Sequence, residues 1–191
     1  MLWVVRHAPT QLNREGRYMG YLDPVPVFDS ESVAKAEQVA LAFRAAGVQR
    51  VVSSPLARAR QTAEILGQDI EMEIDDRLME WGLGSWQGML HEDVRREYPT
   101  WFDSRGVWDP RRTPPGGEEF ADVEARVTSF LEEGLFAPAR RGDSATAVVT
   151  HNGVMRMIKY LRGVIAVEEF FVEYEAALEP WCVEVPWWEP K

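Results

Sequence analysis

Near its N-terminus the sequence reads Leu2-Trp3-Val4-Val5-Arg6-His7, four apolar residues that run directly into an arginine and a histidine. A short apolar run of this kind, followed by turn-forming residues, is typical of a buried strand. Residues 145–150 form a second buried-strand pattern, and His151 follows it. Because ligands of open α/β sheets bind outside the carboxyl ends of the strands, the two histidines are candidates for one site.

Strand and helix patterns alternate along the rest of the chain. Apolar residues recur at helical spacing over residues 30–46, and a short strand at 51–53 leads into a helix with Ser54 as N-cap and Pro55 as first helical residue. The remaining patterns are a half-buried strand at 70–74, helices at 119–137 and after Asn152, and one or two edge strands from Phe170. This alternation predicts an α/β fold, a three-layer sandwich with a mostly parallel central sheet, helices on both faces and an inserted lid. We expect a single domain over residues 1–191.

The inserted lid is expected at about residues 81–118, where the pattern is irregular apart from one helical piece near residues 90–98. Long segments of this kind in compact domains are often lids or binding loops. Half of the tryptophans lie in it, and they are expected to pack the lid onto the core, with an aromatic wall for a ring-bearing leaving group as the alternative. These are Trp81, Trp86, Trp101 and Trp108. Three nearby arginines are either solvated or read a second anionic group on the substrate: Arg105, Arg111 and Arg112.

The composition limits the classes of partner. The net charge of −10 argues against nucleic acid or an anionic membrane as partner, and an anionic substrate then needs a locally positive site. Cys182 is the one cysteine, so no intrachain disulfide can form, which fits a reducing compartment. The apolar run at residues 2–5 is too short for a signal peptide, and no stretch approaches a membrane span. The expected location is the cytoplasm.

Arginines accompany the two histidines at the predicted strand ends. Arg6 directly precedes His7, and Arg58 lies within one turn of the helix after the second strand. If the strands are parallel neighbours, these residues converge with His151 on one anion site, because the guanidinium fork matches phosphate oxygens. Neutral imidazole is a competent nucleophile toward phosphorus. The leaving oxygen then needs a proton, for which Glu80 is the leading candidate.

Other residues compete for these roles. A lone histidine after an apolar strand is more often structural. The case for a functional role of His7 therefore depends on the other motifs of the chain. Glu118 and Glu119, at the end of the lid, are rivals of Glu80 for the acid role. His91 is expected to be a surface or lid histidine. The three histidines show none of the usual metal-ligand spacings, so zinc binding is not expected.

Four motifs occur in order within residues 2–162. The first is Val4-Val5-Arg6-His7-Ala8-Pro9-Thr10, and the second is Ser53-Ser54-Pro55-Leu56-Ala57-Arg58-Ala59 with Gln61-Thr62-Ala63. The third is Arg77-Leu78-Met79-Glu80 with Gly84-Ser85-Trp86-Gln87-Gly88, and the fourth runs from Val148 to Arg156, after a lid return at Pro114-Pro115-Gly116-Gly117-Glu118. In this order and spacing they resemble the signature motifs of the histidine phosphatase superfamily, also called phosphoglycerate mutase-like.

The resemblance implies roles for the matched positions. His7 would be the phospho-acceptor and Glu80 the acid and base. The family uses no metal, and we expect no cofactor. Ala8 and Pro9 depart from the glycine and the acidic or amide residue that usually follow the nucleophile, which leaves the geometry there open. The phosphate pocket would be formed by Arg6, Arg58 and His151, with Asn13 and Asn152 as further contacts to phosphate or substrate.

The short segment after Glu80 resembles the phosphatase branch of the superfamily. The predicted function is hydrolysis of phosphomonoesters through a phosphohistidine, on a small phosphorylated metabolite such as alpha-ribazole phosphate or a sugar phosphate. A cofactor-dependent phosphoglycerate mutase is the alternative, and an inactive phosphate-binding or scaffold module is the alternative of another class. The expected partner is the metabolite, with no nucleic acid and no membrane, and a homodimer is left open.

Overall fold

The computed structural model describes residues 1–136, 145–172 and 174–184. Within these residues five strands form one sheet: β1 Leu2–Arg6, β2 Val48–Ser53, β3 Met72–Ile74, β4 Ala145–Thr150 and β5 Trp181–Val183. Their order is β3-β2-β4-β1-β5. All pairings are parallel except that β5 runs antiparallel to β1 at the sheet edge. The predicted mostly parallel sheet, with an edge strand in the tail, is confirmed.

Helices cover both faces of this sheet. Successive residues of a strand point to opposite faces, so Val5 packs with Phe43 on one side while Val4 packs with Val127 and Ile158 on the other. The described helices are α1 Gln11–Arg14, α2 Ser30–Ala45, α3 Ala57–Gly67, α4 His91–Glu97, α5 Phe120–Ser129 and α6 Asn152–Leu161. Short 3-10 turns lie at Asp76–Leu78, Gly84–Trp86, Pro99–Trp101 and Val167–Glu169. This arrangement confirms the predicted three-layer sandwich.

The register of the sheet brings the two histidine-bearing strand ends together. Arg6 of β1 lies opposite Thr150 of β4, and the His7 N–H donates a hydrogen bond to the Thr150 carbonyl oxygen at 3.0 Å. On the other side of β4, Ser53 of β2 lies opposite Val149. The residues that follow β1, β2 and β4 therefore emerge at one edge of the sheet.

The two ends of the lid, residues 81–118, are joined at its base. The Glu118 N–H donates to the Gly82 carbonyl oxygen at 2.8 Å, and the Ser85 N–H donates to the Pro115 carbonyl oxygen at 2.9 Å. Gly84 has a φ of +49°, and a Cβ at this position would overlap the backbone of residues 115–117. Only glycine fits this crossing, which holds the lid against the domain.

The helix after β2 starts later than predicted. Its N-cap is Leu56, so Ser54 and Pro55 precede it instead of starting it. The Ser54 N–H still bonds to the Val149 carbonyl oxygen at 3.1 Å, as a continuation of the sheet. The Ser54 hydroxyl lies 2.8 Å from His151 Nε2 and is thus engaged at the site instead of capping the helix.

Two further bounds differ. The strand predicted at 70–74 is limited to β3, where Glu73 and Ile74 are exposed at the sheet edge. The helix predicted at 119–137 changes after Ser129 into the π-helical segment Phe130–Phe136, and its last predicted residue lies outside the described residues. In the part of the chain that the structure describes, no helix has the length and apolar content needed to cross a bilayer.

Candidate active site

His7 follows β1 directly and has no exposed surface. Its Nδ1 lies 2.6 Å from the Ala8 carbonyl oxygen. A carbonyl oxygen can only accept, so Nδ1 carries the ring proton and Nε2 keeps a lone pair. Burial, and then the charges of Arg6 and Arg58, hold the pKa of His7 well below its usual value. The ring is therefore neutral, with Nε2 free of hydrogen-bond partners among the described residues.

His151, the N-cap residue of α6, faces His7 with 5.1 Å between the ring centroids. The Ser54 hydroxyl lies 2.8 Å from His151 Nε2 and accepts a bond from the Leu56 N–H at 3.3 Å. When this hydroxyl donates to Nε2, the ring proton of His151 lies on Nδ1, which makes no hydrogen bond among the described residues. Burial, followed by the charge of Arg58, lowers the pKa of His151.

Arg58 lies on the first turn of α3 and is fully buried. Its Nη1 donates to the Leu22 carbonyl oxygen at 2.6 Å and its Nη2 to the Gly20 carbonyl oxygen at 2.9 Å. Asp23 lies 3.7 Å from Nη1. Burial lowers the pKa of Arg58 to about 10, so the side chain stays charged near neutral pH. These contacts fix the guanidinium in place before any ligand binds.

Arg6 completes the predicted phosphate pocket. Its Nη1 donates to the Glu175 carbonyl oxygen at 2.8 Å, and burial lowers its pKa against the opposing charge of Glu80. Buried nitrogen atoms without a hydrogen-bond partner among the described residues include one on each member of the pocket: Arg6 Nε, His7 Nε2, Arg58 Nε and His151 Nδ1. Unsatisfied buried donors are costly. An oxyanion would accept hydrogen bonds from the N–H groups of Arg6, Arg58 and His151, while Nε2 of His7 offers a lone pair.

Glu80 lies at the start of the lid and is buried. Its Oε1 accepts hydrogen bonds from the Trp81 N–H at 2.9 Å and the Gly153 N–H at 3.0 Å. Burial raises its pKa, against the Trp81 hydrogen bond and the charges of Arg58 and Arg6. A Cβ on Gly153 would lie 2.6 Å from Glu80 Oε1, so glycine is needed there for the carboxyl group to approach α6.

The two rival acids are engaged elsewhere. Glu118 accepts from Arg126 Nε and Nη2, both at 3.0 Å, and from the Gly82 N–H at 2.7 Å. Glu119 is exposed and is the N-cap residue of α5. Neither forms part of the cavity beside the histidines, whereas Glu80 does. The geometry therefore favours Glu80 as the acid.

A cavity of about 510 Å³ lies between the lid and the strand ends. Arg6 and Glu80 form part of its wall, whereas His7, Arg58 and His151 are fully buried and do not line it. We call this space the active-site cavity.

The two predicted asparagines also lie on the cavity wall. Asn13 Oδ1 accepts from the Thr10 N–H at 3.0 Å, and Asn152 Oδ1 accepts from the Glu175 N–H at 2.8 Å. Both side-chain oxygens are thus used within the protein. The NH₂ group of each amide is the donor that remains for an anion.

Ala8 replaces the usual glycine without strain. It is fully buried, its φ does not lie in the left-handed region, and its N–H donates to Thr62 Oγ1 at 2.9 Å. A methyl group in this position packs against the core beside His7. The substitution leaves the hydrogen bond between His7 Nδ1 and the Ala8 carbonyl intact.

The lid residues separate into two groups. Trp86 is fully buried in the core, whereas Trp81 and Trp108 also line the active-site cavity. Arg105 lines it too, but Arg111 pairs with Asp109 at 2.8 Å and faces a different pocket. Arg112 and Trp101 do not line the active-site cavity either.

The sequence did not single out several residues of the cavity wall. Tyr174 lies beside the phosphate pocket, with its ring centroid 6.0 Å from Arg6 Cζ. His91, predicted as a surface or lid residue, lines the cavity, and burial followed by the charge of Arg95 lowers its pKa. Phe171 stacks on Trp108, with ring centroids 4.7 Å apart. No motif marked these positions, because isolated aromatic and basic residues are also common on ordinary surfaces.

A family model of the histidine phosphatase superfamily (branch 1) matches residues 2–170. The chain belongs to this superfamily and is a phosphatase of the histidine phosphatase type. The phosphoserine phosphatase 1 of Hydrogenobacter thermophilus is 35% identical over 158 residues, which cover 81% of this chain and 72% of that protein. The adenosylcobalamin/alpha-ribazole phosphatase of Salmonella typhimurium is 30% identical over 164 residues, covering 82% and 76%.

Solved structures share the fold. The mycobacterial glucosyl-3-phosphoglycerate phosphatase in complex with VO3 has a TM-score of 0.74 and 26% identity, covering 94% of this chain and 90% of that one. Among the described residues there is no group of three histidine, cysteine, aspartate or glutamate side chains that could hold a metal ion.

Proposed function

We propose that this chain hydrolyses phosphomonoesters by passing the phosphoryl group through Nε2 of His7. The observation that carries the proposal is the hydrogen bond from His7 Nδ1 to the Ala8 carbonyl oxygen at 2.6 Å. It leaves the lone pair on Nε2, which is buried without a partner among the described residues, as are Nε of Arg6, Nε of Arg58 and Nδ1 of His151.

In the first step, Nε2 of His7 attacks phosphorus and the bond from phosphorus to the leaving oxygen breaks. The N–H groups of Arg6, Arg58 and His151 stabilise the charge on the equatorial oxygens. Glu80, whose pKa is raised by burial, gives its proton to the leaving oxygen, so that an alcohol and not an alkoxide departs.

In the second step, Glu80 is a carboxylate and takes a proton from a water molecule. The water oxygen attacks phosphorus and the bond from phosphorus to His7 Nε2 breaks, which releases phosphate. His7 returns to the neutral ring and Glu80 to the protonated acid. The cycle balances without a further reactant.

The guanidinium groups take the place that a metal ion has in many phosphoryl-transfer sites. We therefore expect activity to survive exhaustive treatment with a chelator. A loss of activity that Mg²⁺ or Zn²⁺ restores would contradict this part of the proposal.

The substrate is a small phosphorylated metabolite. The related proteins carry names for phosphoserine, alpha-ribazole and glucosyl-3-phosphoglycerate phosphatases, and the cavity of about 510 Å³ has room for a leaving group of this scale. VO3, bound by one structural relative, is an oxyanion like the phosphoryl group. We expect phosphatase activity to exceed mutase activity. Faster conversion of 3-phosphoglycerate to 2-phosphoglycerate than release of phosphate would reverse that assignment.

The test is to trap the intermediate. Brief reaction with ³²P-labelled substrate followed by quenching should give label that is stable in base and labile in acid, and peptide mapping should place it on His7. Arg58→Gln should lose most of this labelling, while Arg60→Gln, an exposed change on the same helix, should keep it. Full turnover by His7→Gln would refute the proposal.

A further inference from the structure

The wall of the active-site cavity has an excess of positive charge. The chain has a net charge of −10, yet four arginines line this cavity, and among the described residues Glu80 is the one acidic residue on its wall. The arginines are Arg6, Arg17, Arg95 and Arg105. Arg6 belongs to the phosphate pocket. The other three lie farther out, where the leaving group of the substrate would be.

Two of the outer arginines have carboxylate partners. Arg17 Nε lies 2.8 Å from Glu15 Oε2, and Arg105 Nη2 lies 2.7 Å from Asp103 Oδ2. For Arg95, no described residue supplies a carboxylate within ion-pair distance. Within the described part of the chain, Arg95 is therefore the outer arginine without a carboxylate partner.

The surroundings of Arg95 place it at the outer end of the cavity. It lies on α4, and a Cβ at Gly106 in the lid turn would be 3.8 Å from Arg95 Nε. Burial raises the pKa of the Tyr174 hydroxyl, and the positive charges of Arg6 and Arg95 both act against this rise. Tyr174 thus links the phosphate pocket to the position of Arg95. Arg6 and Arg95 are separate positive groups on the wall of one cavity, which fits a substrate with two anionic groups.

We propose that Arg95 binds a second anionic group, a carboxylate or a second phosphate, on the leaving group of the substrate. This inference rests on the proposed function and specifies the substrate class for the same cavity. The guanidinium of Arg95 offers a planar pair of N–H donors to two oxygens of the anion. The phosphoryl group to be transferred binds at Arg6 and Arg58, and the second anion binds at Arg95.

The experiment compares esters that differ in one anionic group. The carboxylate pair is 3-phosphoglycerate and glycerol 3-phosphate, and the phosphate pair is fructose 1,6-bisphosphate and fructose 6-phosphate. The values of kcat/KM are measured for the unchanged protein, for Arg95→Gln, and for Arg96→Gln. Arg96 is the control because it is its neighbour on α4, is exposed, pairs with Asp93 and does not line the cavity.

The unchanged protein should prefer the doubly anionic member of at least one pair. Arg95→Gln should lower kcat/KM for that member about 10-fold to 100-fold, mainly through KM, because one charge-assisted contact is lost. It should change the singly anionic member less than about 2-fold. Arg96→Gln should change neither. The pair that responds identifies the second group as carboxylate or phosphate.

Equal losses for both members of each pair, or no preference in the unchanged protein, would overturn the role of Arg95. The proposed function is judged separately by labelling of His7 with the singly anionic esters. If His7 is labelled and Arg95→Gln has no selective effect, only the second-anion site fails. If no ester labels His7, the proposed function fails as well.

Discussion

The backbone carbonyl oxygen of Glu175 lies 2.8 Å from Nη1 of Arg6 and accepts a hydrogen bond from it. Its backbone N–H donates to Asn152 Oδ1, also at 2.8 Å. The Glu175 carboxylate is buried against α6, where it pairs with Arg156 at 3.0 Å and Lys159 at 2.6 Å. A residue beyond the stretch that the family model matches, 2–170, thus supports the arginine that precedes His7.

The first prediction concerns Glu175→Gln. Removing this charge leaves Arg156 and Lys159 without their carboxylate, so the free energy of unfolding should fall by about 3 kcal/mol. The backbone carbonyl that Arg6 contacts is kept, but the ion pairs that anchor it to α6 are lost, so KM for a phosphomonoester should rise more than kcat falls. Urea unfolding and steady-state kinetics check the two effects. Glu179→Gln, at an exposed position of the same tail, should cost less than about 0.5 kcal/mol. Similar losses in both variants would rule out a positioning role for Glu175.

The second prediction separates the two proton transfers of Glu80. Glu80→Gln should slow hydrolysis of alkyl phosphates by about 10² to 10⁴. It should affect the first step with p-nitrophenyl phosphate much less, since nitrophenolate hardly needs a proton. Dephosphorylation of His7 should remain slow, so nitrophenol should appear in a burst that then stalls. Rapid-mixing measurement of nitrophenol, beside steady-state turnover of an alkyl ester, checks this. If Glu80→Gln retains both activities, the acid lies elsewhere, and Glu118 is the next residue to change.

The third prediction tests the close approach between Glu80 and α6. In Gly153→Ala the new methyl group would lie 2.6 Å from Glu80 Oε1, so the carboxyl group has to move. Turnover of alkyl phosphates should fall at least about 10-fold, with a smaller effect on the nitrophenol burst, as expected for a displaced general acid. The two leaving groups serve as controls for one another. An equal effect on both esters would indicate that the phosphate pocket, not Glu80, had been disturbed.

The fourth prediction concerns stability at acid pH. In the folded chain the pKa values of His7 and His151 lie well below the usual value of 6.5. Between the folded and the unfolded pKa, the unfolded chain binds more protons, so the free energy of unfolding falls as pH drops below about 6.5. His7→Gln and His151→Gln should each reduce this acid loss in urea titrations. The pKa of Glu80 is raised in the folded chain, so this group makes folding more favourable as pH drops. Glu80→Gln should therefore make the loss of unfolding free energy at acid pH steeper. An unchanged pH dependence in both histidine variants would contradict the assignment.

Much of the site could be predicted because its arginines and histidines lie at or soon after the ends of apolar segments that are recognisable as strands. Arg6, His7 and His151 directly follow apolar strands, and the parallel register brings them together by geometry alone. Arg58 was predictable because it lies on the first turn after β2. The position of Glu80 followed from its motif, and its bonding to α6 could only come from the folded chain.

The parts that were missed lack local signals. Glu175 and Tyr174 lie in an irregular tail, and their importance comes from contacts with residues distant in sequence. Arg95 is an exposed arginine on a short helix, and its place on the cavity wall depends on how the lid folds over it. Ser54 was assigned to a helix because serine before proline usually caps one. A tertiary hydrogen bond to His151 replaces that local preference.

The order of strands has a consequence for biosynthesis. β1, which His7 follows directly, pairs with β4 and β5, and both of these come from the last third of the chain. At roughly 5–20 residues per second, a ribosome needs on the order of ten seconds to reach β4 after β1 has been made. During that time the apolar segment Leu2–Arg6 has no partner strand in the sheet. A nascent or truncated chain that stops before β4 would therefore be a substrate for chaperones and proteases, and not a weaker enzyme.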